Sequence, residues 1–242
     1  MSSLPMSLSV VVPCFDEERR IGTSLVQLCD VLTQMAYGDW EVLIVDDHSS
    51  DDTRRIVEAF AAAHPRVHLE VASGGKGKGA AVRTGVMLAR YDAVLVVDAD
   101  LAGDLGVVPQ MCRRLATADA VIGSRLLPGA IVEPRRSVGR RGAALIFRTA
   151  VRLMTPLRVS DPQCGFKLFR REVVQAQIAA TQTSGYAYEI ELLLRLTNAG
   201  AVIEEVPVTW REGRDSKVRV VRDGIGMLAE VWSARRRAGQ AG

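Results

Sequence analysis

Two aspartates one residue apart end a short apolar run in the stretch VLVVDADLAGD, residues 94–104. Asp98 and Asp100 follow a run of valine and leucine that predicts a strand buried on both faces. Ionised carboxylates repel each other unless a cation or hydrogen-bond donors offset their charge. Carboxylate oxygens of this kind suit a hard divalent cation, at a site that a substrate phosphate completes. The alternative is a solvated loop in which Asp100 or Asp104 caps the next helix.

A second candidate binding segment is rich in glycine and lysine. It reads SGGKGKGAAVRTG over residues 73–85 and carries Lys76 and Lys78 just before a predicted helix. Its spacing matches neither the P-loop nor the dinucleotide-binding fingerprint. Glycines would allow the backbone to approach a nucleotide closely, with lysine charge nearby. The alternative is a flexible turn with solvated lysines.

The elements that must position these residues alternate between strands and helices. Strands are predicted at 8–13, 40–46, 67–72 and 93–98, and helices at 17–35, 52–63 and 78–90. This alternation is typical of an α/β fold with a mostly parallel sheet and crossover helices. Such sheets bind ligands at the carboxyl ends of their strands. We therefore expect the polar segments that follow the strands to lie along one edge: 13–17, 46–47, 74–79 and 98–100.

The second half of the chain is less regular. Helices are predicted at 138–154, 185–198 and 221–235, and a strand at 202–210. Pro207 cannot donate to a sheet ladder, which favours an edge position for that strand. Without an internal repeat or a linker, the sequence predicts a single domain over 1–242, with flexible ends at 1–7 and 236–242.

Composition excludes several classes of protein. The chain has 242 residues, 48% of them hydrophobic, which is enough for one large core. A net charge of +3 and 5% aromatic residues argue against a nucleic-acid partner. The sequence shows no apolar run of transmembrane length, no signal peptide and no CxxC pair, so a cytoplasmic protein is expected. Seven arginines and no acid between Pro134 and Ser160 predict a local anion site.

Six segments occur in the order found in inverting family-2 glycosyltransferases of the GT-A fold: VVVPCFDEERRI, EVLIVDDHSSDDT, GGKGKGAAVRTG, VVDADLAGD, IGSR and DPQCGFKLF. The chain most resembles the polyprenyl-phosphate sugar synthases, which make dolichyl-phosphate mannose and glucose. Its later segments YAYEIELL and EEVPVTW are similar to the glucose-transferring branch. The resemblance implies a Rossmann-like GT-A domain that moves glucose or mannose from a UDP- or GDP-linked nucleotide sugar to polyprenyl phosphate.

The resemblance also implies site residues. Those expected to contact the nucleotide are Pro13, Asp16, Glu17, Asp46, Lys76, Lys78, Ser216 and Lys217, the last two in a mobile loop. Asp98 and Asp100, the DXD motif, would face the sugar diphosphate and its Mg²⁺ or Mn²⁺. Gln163, Lys167 and Glu189 would lie near the sugar, although Glu189 and Glu191 also suit solvated helix positions. Arg125 and Arg136 would receive the acceptor phosphate.

The chain departs from the family pattern at Asp16 and Ala102, and a serine that helps hold the acceptor phosphate in the family is replaced near Arg140. Asp16 stands where the usual residue is Asn, which adds negative charge near the base. Ala102 stands where mannose synthases carry a metal-binding Gln, and whether Asp104 replaces that ligand stays open. We expect Asp100 to be the main metal ligand, with Asp98 nearer the sugar or ribose.

The prediction of a phosphate acceptor depends on the arginines. A phosphate acceptor is already ionised near neutral pH, so its attack needs cations to overcome repulsion more than it needs a strong base. Helix 138–154 carries Arg148 and Arg152 beside Phe147, Val151 and Met154. This pattern indicates either peripheral contact with the inner face of a membrane or a solvated helix packed on the core. A soluble sugar or metabolite acceptor and a non-catalytic nucleotide-binding module are the alternative functions.

Overall fold

Strands and helices alternate through residues 7–35, 38–133, 138–211 and 220–238, the part of the chain that the computed structural model describes. The strands are β1 (Leu8–Cys14), β2 (Trp40–Asp46), β3 (Val67–Val71), β4 (Ala93–Val96), β5 (Ala120–Ser124), β6 (Ile131–Glu133), β7 (Lys167–Arg170), β8 (Ile203–Pro207) and β9 (Thr209–Arg211). The helices are α1 (Ile21–Gln34), α2 (Thr53–Ala63), α3 (Lys78–Leu88), α4 (Val108–Arg114), α5 (Val138–Met154), α6 (Arg171–Ile178), α7 (Tyr188–Asn198) and α8 (Val220–Ala238).

The main sheet has the strand order β3-β2-β1-β4-β7-β5-β8. Strands β1 to β4 are parallel, as the alternation predicts, and β5 pairs with β8 in parallel. The chain runs outward from β1 to β3 and then returns to place β4 on the other side of β1. The strand order therefore switches between β1 and β4, and a ligand site is expected at their carboxyl ends.

Strand β7 runs antiparallel to both of its neighbours, β4 and β5. Its first residue, Lys167, pairs with Val96 at the end of β4 and with Ile122 near the end of β5. An antiparallel strand starts where its neighbours finish. The segment that precedes β7 consequently lies at the same edge of the sheet as Asp98.

Hydrophobic packing covers both faces of the sheet, which explains why β1 and β2 are apolar runs buried at every residue. One core contains Leu25 and Leu28 of α1 against one face. The other core contains Val82 of α3 and residues of α5 to α8. The predicted α/β fold is confirmed, and the two cores form one domain.

The predicted strand 202–210 is two strands. The edge position of Pro207 is confirmed, because β8 is the last strand of the main sheet. The chain then leaves that sheet, and β9 pairs with β6 in a separate two-stranded sheet. After this change of sheet, Val208 and Trp210 are buried in the core that contains Leu25 and Leu28 of α1. A local alternating pattern does not reveal this long-range contact.

Several helix ends differ from the predictions: α7 begins at Tyr188 rather than 185, and α3 ends at Leu88 rather than 90. Helix α1 begins at Ile21 rather than 17, because Glu17 to Arg20 form a turn in which Glu17 O accepts from Arg20 N at 3.0 Å. Helix α8 continues to Ala238, which is buried, so part of the end expected to be flexible belongs to the packed helix.

Helix α5 has the predicted bounds, and it packs on the core through Val151, Phe147 and Met154. Those three residues are therefore the core-facing stripe of this helix. Over the described residues, none of the helices combines the length and the apolar character needed to cross a bilayer.

Candidate active site

The DXD aspartates lie in a tight turn directly after β4. Val97 N still donates to Val11 O at 3.1 Å, and the chain then turns so that Leu101 adopts a positive φ of 45°. Asp100 Oδ1 accepts a hydrogen bond from Ala102 N at 3.1 Å. Partial burial and the negative charge of Asp98 raise the pKa of Asp100. Two carboxylates of like charge in one turn favour a cation between them.

Lys78 supplies one positive charge to this turn. Its Nζ lies 2.7 Å from Asp98 Oδ1 and 3.4 Å from Glu189 Oε1. Burial opposes the charged ammonium, but the negative charges of Asp98 and Glu189 outweigh it and raise the pKa of Lys78 well above its ordinary value. The glycine-rich segment thus brings a lysine to the DXD turn, and the predicted contact of Lys78 with the nucleotide stays a prediction.

Glu189 and Lys167 continue the chain of alternating charges. Lys167 Nζ lies 3.2 Å from Glu189 Oε1 and also donates to the Cys164 carbonyl. Burial would raise the pKa of Glu189, but Lys167 and Lys78 outweigh it and lower that pKa. Tyr188 Oη donates to the same carboxylate at 3.4 Å. Glu189 is therefore a buried, ionised group of the site, and the solvated-position alternative is wrong for it.

Glycines allow these segments to approach each other. A Cβ on Gly165 would lie 2.1 Å from Asp98 Oδ2, so only glycine leaves room for the carboxylate there. Gly79 N donates to Ser184 O at 2.7 Å, and a Cβ at Gly79 would meet Tyr188 Cβ at 2.6 Å. Close approach, rather than flexibility alone, therefore explains glycine at 79 and 165.

The ends of β1 and β2 make a polar frame on the other side of the switch point. Asp16 has a φ of 49°, and its Oδ1 accepts from Ser50 N at 2.8 Å. Asp46 is fully buried and accepts from Ser49 N at 3.2 Å. Asp47 connects the end of β2 to the glycine-rich segment, because both of its carboxylate oxygens accept from Gly77 N at 2.8 Å.

Three more of the predicted nucleotide contacts, Pro13, Glu17 and Lys76, belong to the described residues. Pro13 is buried in β1, and Glu17 forms an ion pair with Arg20. Lys76 is exposed, two residues before Lys78. Arg136, Ser216 and Lys217 lie outside the described residues, so their roles stay predictions.

Arg125 is held by a partner that the sequence did not indicate. Its Nε and Nη2 donate to Asp161 Oδ2 and Oδ1 at 2.7 and 2.9 Å, and its backbone N donates to the same carboxylate at 3.1 Å. Nη2 also donates to the carbonyl of Gln163 at 3.2 Å, and the guanidinium lies 5.0 Å from the Trp210 ring centre. This arrangement fixes the DPQCG segment to β5. The predicted contact of Arg125 with an acceptor phosphate stays a prediction.

Glu191 is a second buried acid, so the solvated-position alternative is wrong for it as well. Its carboxylate accepts from Thr183 N at 2.8 Å and lies 3.3 Å from Arg195 Nη2 and 3.1 Å from Arg237 Nη2. Burial opposes its ionisation, but the hydrogen bonds from Thr183 and Arg237 outweigh that effect and lower its pKa. Glu191 thereby ties α8 to the segment that packs on Gly79.

Asp104 does not join the acidic pair. Its Oδ1 accepts from Gly106 N at 2.9 Å and caps a short 3₁₀ turn, so the capping alternative describes this residue. Ala102 is buried and offers no side-chain ligand. In the described chain, no cluster of three or more His, Cys, Asp or Glu side chains is placed to hold a metal. Asp98 and Asp100 would fit a divalent cation if a diphosphate and water supplied its other ligands.

The comparison with protein families agrees with this geometry. The family described as Glycosyl transferase family 2 matches residues 9–177, well over half of the chain. The chain belongs to glycosyltransferase family 2. The predicted family is thus confirmed, and a purely non-catalytic module is set aside.

Two of the relatives of this family-2 glycosyltransferase are named for lipid phosphates, and a third is named only as a glycosyltransferase. A dolichyl-phosphate beta-glucosyltransferase of Saccharomyces cerevisiae is 30% identical over 93% of this chain and 72% of its own length. An undecaprenyl-phosphate mannosyltransferase of Micrococcus luteus is 29% identical over 88% of both chains. Glycosyltransferase AglD of Haloferax volcanii is 30% identical over 93% of this chain, which spans only 36% of that protein.

Solved structures agree with the fold. Glucosyl-3-phosphoglycerate synthase from Mycobacterium tuberculosis, in complex with Mn²⁺ and UDP-glucose, superposes with a TM-score of 0.68. The match covers 97% of this chain and 79% of that one at 22% identity. At this identity the likeness confirms the GT-A architecture of the family-2 glycosyltransferase.

Proposed function

We propose that this family-2 glycosyltransferase moves glucose or mannose, with inversion, from a UDP- or GDP-linked nucleotide sugar to polyprenyl phosphate. The observation that carries the proposal is the charged network of Asp98, Lys78, Glu189 and Lys167 at the carboxyl ends of β4 and β7. Relatives named for dolichyl- and undecaprenyl-phosphate match over about nine tenths of the chain and support the acceptor class.

The donor would span the switch point between β1 and β4. Asp16 and Asp46 offer carboxylates to the base and ribose, while Asp98 and Asp100 would bind the diphosphate through Mg²⁺ or Mn²⁺. The cation would neutralise charge that develops on the leaving diphosphate. Lys78 is already 2.7 Å from Asp98 and adds a fixed positive charge beside the same leaving group.

The sugar would sit against the far end of the charged network. Glu189 is buried between two lysines, which keeps its carboxylate ionised and in place to accept hydrogen bonds from sugar hydroxyls. The acceptor phosphate attacks as an anion, so the chain has to supply positive charge rather than a strong base. The acid-free arginine segment 134–160 supports that role.

The acceptor also implies a place in the cell. Polyprenyl phosphate is a membrane lipid, whereas nucleotide sugars are water-soluble. We therefore propose that the enzyme works in the cytoplasm at the inner face of the membrane.

Transfer assays with the full chain test the proposal. Donors are UDP- and GDP-linked glucose and mannose, and acceptors are a short polyprenyl phosphate, 3-phosphoglycerate and free sugars, each with Mn²⁺ or with EDTA. We expect transfer to polyprenyl phosphate that EDTA abolishes. Efficient transfer to phosphoglycerate or free sugars alone would replace the lipid acceptor with a soluble one.

Asp100→Asn separates the metal role from a structural one. The amide keeps an oxygen that can accept from Ala102 N but loses the charge that binds a cation, so the fold should persist while Mn²⁺-dependent nucleotide binding is lost. Asp104→Asn is the matched control, because Asp104 caps a neighbouring turn through a bond that Asn can also accept. Manganese titration equal to wild type in Asp100→Asn would contradict the assignment.

A further inference from the structure

Helix α5 carries a second apolar stripe that faces away from the protein. Leu153, Ile146 and Leu145 are 81%, 71% and 58% exposed. At about 100° per residue, these three positions fall within an arc of about 100°, opposite Val151 on the core side. A helix that packs one stripe on a core normally presents polar residues on the other side. The outer aliphatic stripe of α5 therefore needs a partner.

Helix α8 extends this apolar surface. It packs against α5, and Trp232 on it is 50% exposed. Arg235 lies with its guanidinium 5.8 Å from the Trp232 ring centre and lines the same groove as Leu153. Leu153 of α5 and Arg235 of α8 consequently line one groove, and Trp232 lies beside Arg235.

Positive charge borders the apolar surface. Arg152 is exposed and Arg148 half-buried on α5, whose sequence contains no acidic residue, and Arg235 and Arg236 are exposed on α8. Glu230 of α8 lies on the other side of that helix, where its carboxylate is 3.3 Å from the position that a Cβ on Gly185 would take. Aliphatic side chains framed by arginines, with a tryptophan at the margin, match the chemistry of an anionic membrane interface.

We propose that α5 and the end of α8 form a membrane-docking face. Its apolar members are Leu145, Ile146, Leu153 and Trp232, and its basic members are Arg148, Arg152, Arg235 and Arg236. The apolar members enter the headgroup layer while the arginines bind lipid phosphates. The inference deepens the membrane location in the proposed function, on which it rests, by naming the surface that contacts lipid.

A lipid surface suits this face better than a second copy of the chain. A two-fold dimer would place the same patch of both subunits together, and the arginines of one copy would then meet those of the other. Like charges across an interface oppose association, whereas anionic headgroups complement them.

Flotation of the full chain with lipid vesicles tests the docking face. One set of vesicles is phosphatidylcholine alone, and the other is phosphatidylcholine mixed with phosphatidylglycerol, with neither donor nor polyprenyl phosphate present. We expect binding to the mixed vesicles that weakens as salt increases. Ile146→Gln and Leu153→Gln should each weaken binding to the mixed vesicles about tenfold, a change of about 1.4 kcal/mol. This change is slightly smaller than the free energy that full burial of one aliphatic side chain contributes.

A control and a spectroscopic readout accompany the flotation. Val26→Gln replaces a 51% exposed aliphatic residue on α1 and should leave binding unchanged. Trp40 and Trp210, the other tryptophans of the chain, are buried, so a blue shift of emission on adding vesicles would report Trp232. Trp232→Phe should abolish that shift, and far-ultraviolet circular dichroism verifies that each variant is folded.

Three outcomes would overturn the inference. The first is that the protein binds neither kind of vesicle. The second is that wild type and Leu153→Gln bind the mixed vesicles equally. The third is that the protein forms a dimer in solution and that Leu153→Gln dissociates it. The last would assign the face to self-association. Because the vesicles lack donor and acceptor, none of these outcomes bears on whether the enzyme transfers sugar.

Discussion

Asp161→Ala should lower the free energy of unfolding by about 3–5 kcal/mol, because it leaves the guanidinium of Arg125 charged in a largely buried place. Asp161 receives bonds of 2.7, 2.9 and 3.1 Å from Arg125, and its own side chain is almost fully buried. Solvent therefore screens little of the pair. The Gln163 carbonyl and the Trp210 ring would still contact the guanidinium, but neither carries a negative charge.

The expected loss in the free energy of unfolding corresponds to a lower melting temperature. For a chain of this size, about 1 kcal/mol corresponds to about 2–4 °C, so Asp161→Ala should melt roughly 6–20 °C below wild type. Arg125→Met should cost a similar amount, because it strands the carboxylate instead. The double variant removes both charges, and its loss should be smaller than the two single losses added, by up to about 3 kcal/mol.

The pH dependence has a definite sign. Burial opposes ionisation of Asp161, but the hydrogen bonds and charge of Arg125 outweigh it and lower the pKa of Asp161 below its ordinary 3.8. The stabilisation is therefore complete above the unfolded pKa and is lost as the pH falls through the lower, folded value. The stability difference between wild type and the double variant should shrink below about pH 4.

Urea unfolding followed by far-ultraviolet circular dichroism measures these effects, supported by calorimetry. The matched control is Asp39→Ala, because Asp39 pairs with Arg66 at 3.8 Å on the surface and should contribute less than about 1 kcal/mol. A loss below about 1 kcal/mol for Asp161→Ala, or strictly additive single losses, would refute the reasoning about a buried pair.

Two further predictions concern residues that hold the site together. Gly165→Ala would bring a Cβ within 2.1 Å of Asp98 Oδ2 and displace that carboxylate from Lys78, so kcat should fall by more than about tenfold, a cost of about 1.4 kcal/mol. Gly226→Ala, where a Cβ meets nothing within 4 Å, is the control, and equal kcat in both variants would contradict the prediction. Glu191→Gln should cost about 3 kcal/mol in urea unfolding, because Arg195 and Arg237 lose their buried partner. Since the folded pKa of Glu191 is lowered, the difference from wild type should vanish as the pH falls through it, and a difference that stays constant down to acid unfolding would count against this account.

The order of strands and helices in the first half could be predicted because its signals are local. Buried parallel strands are apolar runs, and β1, β2 and β4 end where polar residues begin. The same pattern predicts that Asp46 and Asp98 lie at one edge, and the sheet confirms it. The direction of β7 could not be predicted from the sequence, because its four residues show the same polar-apolar pattern in both directions. Its pairing with β4 and β5 decides that direction.

Partners of charged residues could not be predicted for a similar reason. Lys78 meets Asp98 and Glu189, which lie 20 and 111 residues further along the chain, and Arg125 meets Asp161. Such contacts depend on how whole elements pack, whereas sequence spacing predicts only neighbours within a helix or a strand.

The sequence by itself determined the family, the α/β class and the carboxylates that end β4, since each depends on residue types in a fixed local order. Only the tertiary structure decided which stripe of α5 faces the core. Periodicity shows that Phe147, Val151 and Met154 share one side of that helix and that Leu145 and Leu153 share another. The packing of α5 on the core and on α8 buries the first stripe and leaves the second exposed, because the elements that α5 contacts cover one side of the helix and not the other.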